Sequence, residues 1–168
     1  MAIVIMSVFF SSLNAQQSPY VIDTNSPCHM DVKILGFECK TPHETNVILQ
    51  YVVSTTNNET YQIMGSKYAL YSSLRINPLL QGNVMGDELL HTNIEMYSAG
   101  FDHSLIEKEH AFTDTITVPN KLLANNNNKY IASLTVGLYK TNNSKADQKF
   151  IIKSLKTLYS EPFIVPNK

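Results

Sequence analysis

The sequence predicts an all-β fold, an antiparallel sandwich. Three features carry that expectation. Apolar and polar residues alternate in KYIASLTVGLYK, residues 129–140, the period of a strand. Stretches rich in Val, Ile and Tyr recur about every ten residues with turn signals between them. No stretch has a helical repeat that is not also readable as strand.

The chain opens MAIVIMSVFFSSLNAQQSPY. The apolar run Ala2 to Phe10 is followed by small and polar residues ending in Ala15. That is the pattern of a secretory signal peptide, residues 1–15, with a mature domain from Gln16 to Lys168. The run is shorter than the about 20 residues that span a bilayer. No Lys or Arg precedes it, and Leu13 stands where a smaller residue is commoner. The other reading is a buried first strand or helix.

Next comes CHMDVKILGFEC, residues 28–39, holding both cysteines. In an exported protein a disulfide between Cys28 and Cys39 is the default. A redox pair would read C-x-x-C, and zinc would want more ligands than these two and His29. The intervening pattern competes with the bridge. Met30, Val32 and Ile34 alternate with Asp31 and Lys33, as in a half-buried strand. A strand advances about 3.3 Å per residue, whereas bridged Cα atoms lie within about 7 Å. A bridge therefore requires the chain to double back near Gly36. Otherwise the two thiols flank a straight strand.

NVILQYVVSTT (46–56) and TYQIMGSKYALYSS (60–73) read as strands joined by a polar turn at Asn57-Asn58. That turn holds the sequon Asn58-Glu59-Thr60. A second sequon, Asn142-Asn143-Ser144, lies in KTNNSKADQ, so Asn58 and Asn142 are the candidate glycosylation sites. Each is otherwise a bare surface turn. A further strand is expected over Leu89 to Met96. In AFTDTITVP, Phe112, Ile116 and Val118 are in phase, and Pro119 ends the pairing because it has no N–H to donate. Ala124 to Lys129 is an Asn-rich loop. Within 129–140, Tyr130, Ala132, Leu134, Val136 and Leu138 share one face. In KFIIKSLKTLYSEPFIV, Ile152, Leu155, Leu158 and Tyr159 have helical spacing, but Phe150–Ile152 and Phe163–Val165 are strand-like and Pro162 stops a helix. Strand is the expectation there.

FTDTITVP, KYIASLTVGLY and YSEPFIV, taken in that order, resemble the closing strands of immunoglobulin-like modules in fungal secreted and cell-surface proteins. Those modules often carry a VP-loop-Y-x-x-x-apolar strand and a final S-x-P-F-x-apolar strand. The likeness covers about the last third of the chain. The Trp that such modules often carry near their first strands is absent. The resemblance implies an immunoglobulin-like β-sandwich with a structural or wall-associated, non-catalytic role, and it brings no site residues with it.

Composition narrows the functional classes. Net charge is −1 and only 16% of residues are charged, so no field attracts nucleic acid or an anionic membrane. The chain has no Trp but nine Tyr and seven Phe, which argues mildly against an indole-stacking sugar platform. No second apolar run suggests membrane insertion of the mature form, and SEPFIVPNK has no lipid-anchor tail. Nothing resembles G-x-S-x-G or a glycine-rich phosphate loop, and no spacing selects two carboxylates for glycoside hydrolysis. The richest cluster is FDHSLIEKEHAF, with Asp102, His103, Glu107, Glu109 and His110. On a helix His103, Glu107 and His110 would share a face and could ligate a metal. The flanks are β-like, so the expected reading is a solvated loop. The sequence thus leads to a secreted, non-catalytic binding or structural module without cofactor or metal, contacting an extracellular protein or glycan. The alternatives are a small secreted hydrolase or metal-dependent enzyme built on 102–110, and a secreted effector or immune modulator on the same fold.

Overall fold

The computed structural model describes residues 20–64, 73–93, 105–123, 128–141 and 155–166. The leader segment 1–15, Asn142 and Asp102 with His103 lie outside these residues. All described ladders are antiparallel, and they form two sheets that share one apolar core. The fold is all-β, as expected; among the described residues there is one short helix, α1 (Asn120–Leu123).

The smaller sheet has three strands in the order β1–β2–β8: β1 (Cys28–Thr41), β2 (Glu44–Thr55) and β8 (Phe112–Pro119). Strict alternation sends Val47, Leu49, Tyr51 and Val53 of β2 inward, and all are buried. Opposite them in β1 stand Phe37, Ile34, Val32 and Met30. This phase is kept only because β1 carries an extra residue. Ile34 faces Leu49 while Gly36 faces Ile48, which leaves Leu35 unpaired in a β-bulge. Leu35 is accordingly 55% exposed. A second shift between Cys39 and Thr41 makes Lys40 the extra residue of another bulge.

This ladder corrects the expected disulfide. Cys28 and Cys39 are not joined. Both belong to β1, and at about 3.3 Å per residue that strand carries them tens of ångströms apart. The chain does not double back at Gly36. It turns at Pro42-His43, between the paired residues Thr41 and Glu44.

The larger sheet is organised around β9 (Lys129–Lys140). One edge of β9 pairs first with β3 (Tyr61–Met64) and then with β4 (Ser73–Leu80). The other edge pairs with β10 (Leu155–Tyr159) and β11 (Phe163–Ile164). Outside β4 lie β5 (Val84–Met85) and β6 (Leu90–Asn93), and outside β3 lies β7 (Leu105–Ile106). Of the strand expected over 60–73, Tyr61–Met64 and Ser73 are in strands, and residues 65–72 lie outside the described residues; in the C-terminal stretch Leu155–Tyr159 and Phe163–Ile164 are strand, and residues 149–154 lie outside the described residues.

Tyr130, Ala132, Leu134, Val136 and Leu138 all enter the core, the face read from the sequence. The opposite face of β9 is closed as well at Ile131 and Ser133. Between β10 and β11 the register slips by a residue, and Ser160 compensates. Its N–H donates to Ala132 O at 2.9 Å, and its Oγ accepts from Ala132 N–H at 3.0 Å. The hydroxyl of Tyr20 donates to Ser160 O at 2.6 Å, and its ring meets Tyr159 edge to face. Two residues before Ala132 in β9, Tyr130 donates to Leu123 O at 2.7 Å, tying β9 to α1. The turn from β4 to β5 needs left-handed backbone at Gly82 (φ 77°) and Asn83 (φ 58°), residue types that tolerate it. Asn83 O then accepts the N–H of Tyr20, which anchors the start of the described chain.

A polar pair crosses the smaller sheet. Tyr51 faces Asp114 in the β2–β8 ladder and donates to its Oδ2 at 2.8 Å. Burial, then the hydrogen bond to Asp114, then that carboxylate's charge, push the Tyr51 hydroxyl well above its ordinary range.

Substitutions read the faces of β9. Leu134→Ala should cost about 2–5 kcal/mol through lost burial and a cavity, and Val136→Ala should also cost clearly. Thr135→Ala, on the opposite and partly open face, should stay within roughly 1 kcal/mol. Urea denaturation of the three variants checks this; a loss at 135 that matches 134 would contradict the assigned faces. Tyr51→Phe should cost about 1–2 kcal/mol by removing the donor to a partly buried carboxylate, measured in the same way.

Candidate functional site

The β1–β2 hairpin tip and the corner where β8 runs into α1 lie at the same end of the smaller sheet, because Asn46 is the register partner of Pro119. Between them opens a cleft of about 410 Å³, lined by Lys40, His43, Glu44, Thr45, Asn46, Pro119, Asn120 and Lys121. Local sequence explains each placement. Lys40 is the bulged residue of β1, and a bulge turns its side chain away from the regular alternation. His43 sits in the two-residue turn, where its N–H bonds Thr41 Oγ1 at 3.4 Å. Pro119 cannot extend the ladder, so the chain leaves the sheet and Asn120 and Lys121 begin a single helical turn. That turn is held by Leu123, only 1% exposed.

The lining residues carry charges of both signs, and the surface they present is a mixture of polar atoms and aliphatic carbon. Lys40 of β1, Glu44 of β2 and Lys121 of α1 are the charged residues among the lining. Asn120 Oδ1 is buried and, among the described residues, has no hydrogen-bond partner. Buried acceptors are almost always paired, so this one stands out.

The residues singled out from sequence fall elsewhere. Cys28 is buried at the start of β1, and burial pushes its thiol up to about 12, against a lowering hydrogen bond with Thr55. Cys39 is exposed near the other end of the same strand. Asn58 is exposed in the turn after β2. Its neighbours form a network: Asn57 Nδ2 donates to Tyr61 Oη at 2.7 Å, and Tyr61 donates to Glu59 at 2.6 Å. Glu59 also pairs with Lys140, which holds the carboxyl below its usual range and the ammonium above it. The sequon hydroxyl of Thr60 donates to Glu107 at 3.1 Å.

Within 102–110, the described members Glu107, Glu109 and His110 are all exposed. Glu107 and His110 exchange backbone hydrogen bonds at 2.8 and 3.1 Å, so this is a tight turn and not a helix. Among the described residues, no three His, Cys, Asp or Glu side chains are grouped to hold a metal. Sequence reasoning missed the cleft. The signal was present: TPHE separates two alternating runs and marks a hairpin, and VPN marks where β8 must leave its sheet.

No family model and no curated protein matches the chain. Among solved structures, it is similar to Northeast Structural Genomics Consortium target SoR45, at 8% identity and a TM-score of 0.39, covering 83% of this chain and 86% of that one. It is also similar to Spo0M, a sporulation control protein from Bacillus subtilis, at 10% identity and a TM-score of 0.32, covering 81% of this chain and 50% of that one. Neither likeness carries an argument about fold or function.

The cysteines give a direct check. Iodoacetamide under native, non-reducing conditions should label Cys39 and spare Cys28, whose buried thiol stays protonated at neutral pH. Urea should expose Cys28 to labelling without any reductant. Peptide mass spectrometry reads both. Protection of both thiols until a reductant is added would contradict the straight β1 strand.

Proposed function

We propose that this chain is a secreted, non-catalytic binding module with an immunoglobulin-like sandwich fold, acting at a cell surface or matrix through protein or glycan contacts. The observation that carries the reading is the open cleft between the hairpin tip and the β8–α1 corner. It offers ammonium, carboxylate, hydroxyl and amide groups at the end of a rigid sheet, the arrangement of a recognition site. Recognition needs only such positioned groups.

The exposure of Glu107, Glu109 and His110 favours the module over an enzyme built on 102–110, since an acid/base or metal site would gather those side chains in a pocket. Two antiparallel sheets around one core are compatible with the immunoglobulin-like arrangement implied by the closing strands. Among the described residues no helix is long and apolar enough to cross a membrane. The leader-like segment 1–15 and the exposed Asn58 support export and glycosylation.

Expression in a eukaryotic secretory host checks export. The secreted product should begin near Gln16, and N-glycosidase treatment should reduce its mass. Retention of Met1 in an intracellular product with no glycan would contradict export. Screening the secreted protein on glycan and surface-protein arrays tests binding. A specific hit weakened by substitutions in the cleft supports the module, and the absence of any hit would overturn it.

A further inference from the structure

The two edges of the smaller sheet are built differently. β1 carries Lys33, Lys40 and two bulges, devices that stop a strand from pairing with another chain. β8 runs in unbroken register with β2 from Phe112 to Pro119 and holds no Lys or Arg. Among the described residues β2 is its one paired neighbour. In the larger sheet β5, β7 and β11 have two residues each, too few to template a partner, whereas β8 has eight.

Pro119 fixes which groups of β8 face outward. It is the register partner of Asn46 and has no N–H. In an antiparallel ladder a residue bonds its partner through both N–H and C=O or through neither, and the two kinds alternate. Pro119 is therefore a non-bonded position, and so are Thr117, Thr115 and Thr113. Their N–H and C=O groups point away from β2. At the middle of this row the edge is already occupied: Thr115 N–H donates to Asp114 Oδ1 at 2.7 Å. The other oxygen of that carboxylate, Oδ2, accepts from the hydroxyl of Tyr51 at 2.8 Å. Tyr51 is only 1% exposed, so the core holds the carboxylate in place.

We propose that Asp114, steered by Tyr51, guards the β8 edge and prevents a second copy of this chain from adding its own β8 there. The symmetry of the edge selects that occupant. Two β8 strands laid antiparallel about Thr115 set Thr113 against Thr117 and Thr115 against itself, all positions with outward N–H and C=O groups. Thr–Thr pairs across strands are favourable. The cap takes the N–H needed at the centre of that ladder. The two Asp114 carboxylates would also stand as diagonal neighbours of like charge.

The test compares the chain with its variants by sedimentation velocity over a range of concentrations and by hydrogen exchange of the β8 amides. Asp114→Ala uncaps the edge but leaves the buried Tyr51 hydroxyl without its acceptor. Tyr51→Phe combined with Asp114→Val replaces both polar partners by apolar groups, so the fold should be spared. Urea denaturation confirms that it is. The natural chain should show no association through β8 and fast exchange at Thr113 and Thr117. The combined variant should form a dimer at least about tenfold tighter than any formed by the natural chain, with slowed exchange at Thr113, Thr115 and Thr117. Adding Thr115→Pro should restore the monomer, because the N–H it removes makes no bond to β2. A folded combined variant that stays monomeric would overturn the inference. So would association that leaves the β8 amides unchanged, a dimer that survives Thr115→Pro, or a natural chain whose β8 edge is already protected in a dimer.

Discussion

Strand β9 is the constraint on which the rest of the structure depends. It is paired along both edges, with β3 and β4 on one side and β10 and β11 on the other. Its inward face supplies Tyr130, Ala132, Leu134, Val136 and Leu138 to the core, and Ile131 is closed off on the other face. A strand so placed has nowhere to slip, because a shift of one residue would turn its apolar set out of the core. Its first residues are fixed by polar groups. Tyr130 reaches back to α1, and Ser160 replaces the backbone partner that the β10–β11 slip would have removed.

The smaller sheet meets the same core under a different rule. β1 is too long to stay in phase with β2 without correction, and two bulges supply it. The first puts Leu35 into solvent so that Phe37 can return to the inward face. The second places Lys40 at the cleft. Core packing and the candidate site are thus linked through one strand: the bulge near the hairpin tip falls at Lys40, one of the residues that line the cleft. Tyr51 and Asp114 then join β2 to β8, the strand whose end forms the opposite wall.

Much of this was legible in the sequence where alternation was strong. KYIASLTVGLYK disclosed its bounds and its core face, and Pro119 disclosed where β8 stops. The failures are informative because each involved a long-range choice. A short-loop disulfide and a straight strand make opposite demands on residues 28–39, and cross-strand pairing with β2 decided for the strand. Bulges shift phase by single residues and leave no mark in a period-2 pattern. The hydroxyl of Ser160 acts as a backbone acceptor, a role set by the β10–β11 register and not by local sequence. The cleft was invisible for a similar reason: its walls are about 75 residues apart in sequence and meet only through the β2–β8 register.

The account holds that cooperativity centres on β9 and that the hairpin bearing the cleft is a rigid extension of the core, with its tip less protected. Native-state hydrogen exchange measures this directly, amide by amide. The expected result is slowest exchange at Leu134 and Val136, with opening free energies equal to that of global unfolding, and faster exchange at Lys40, His43 and Lys121. Fast exchange across the middle of β9, with the greatest protection in β1 and β2 alone, would contradict it.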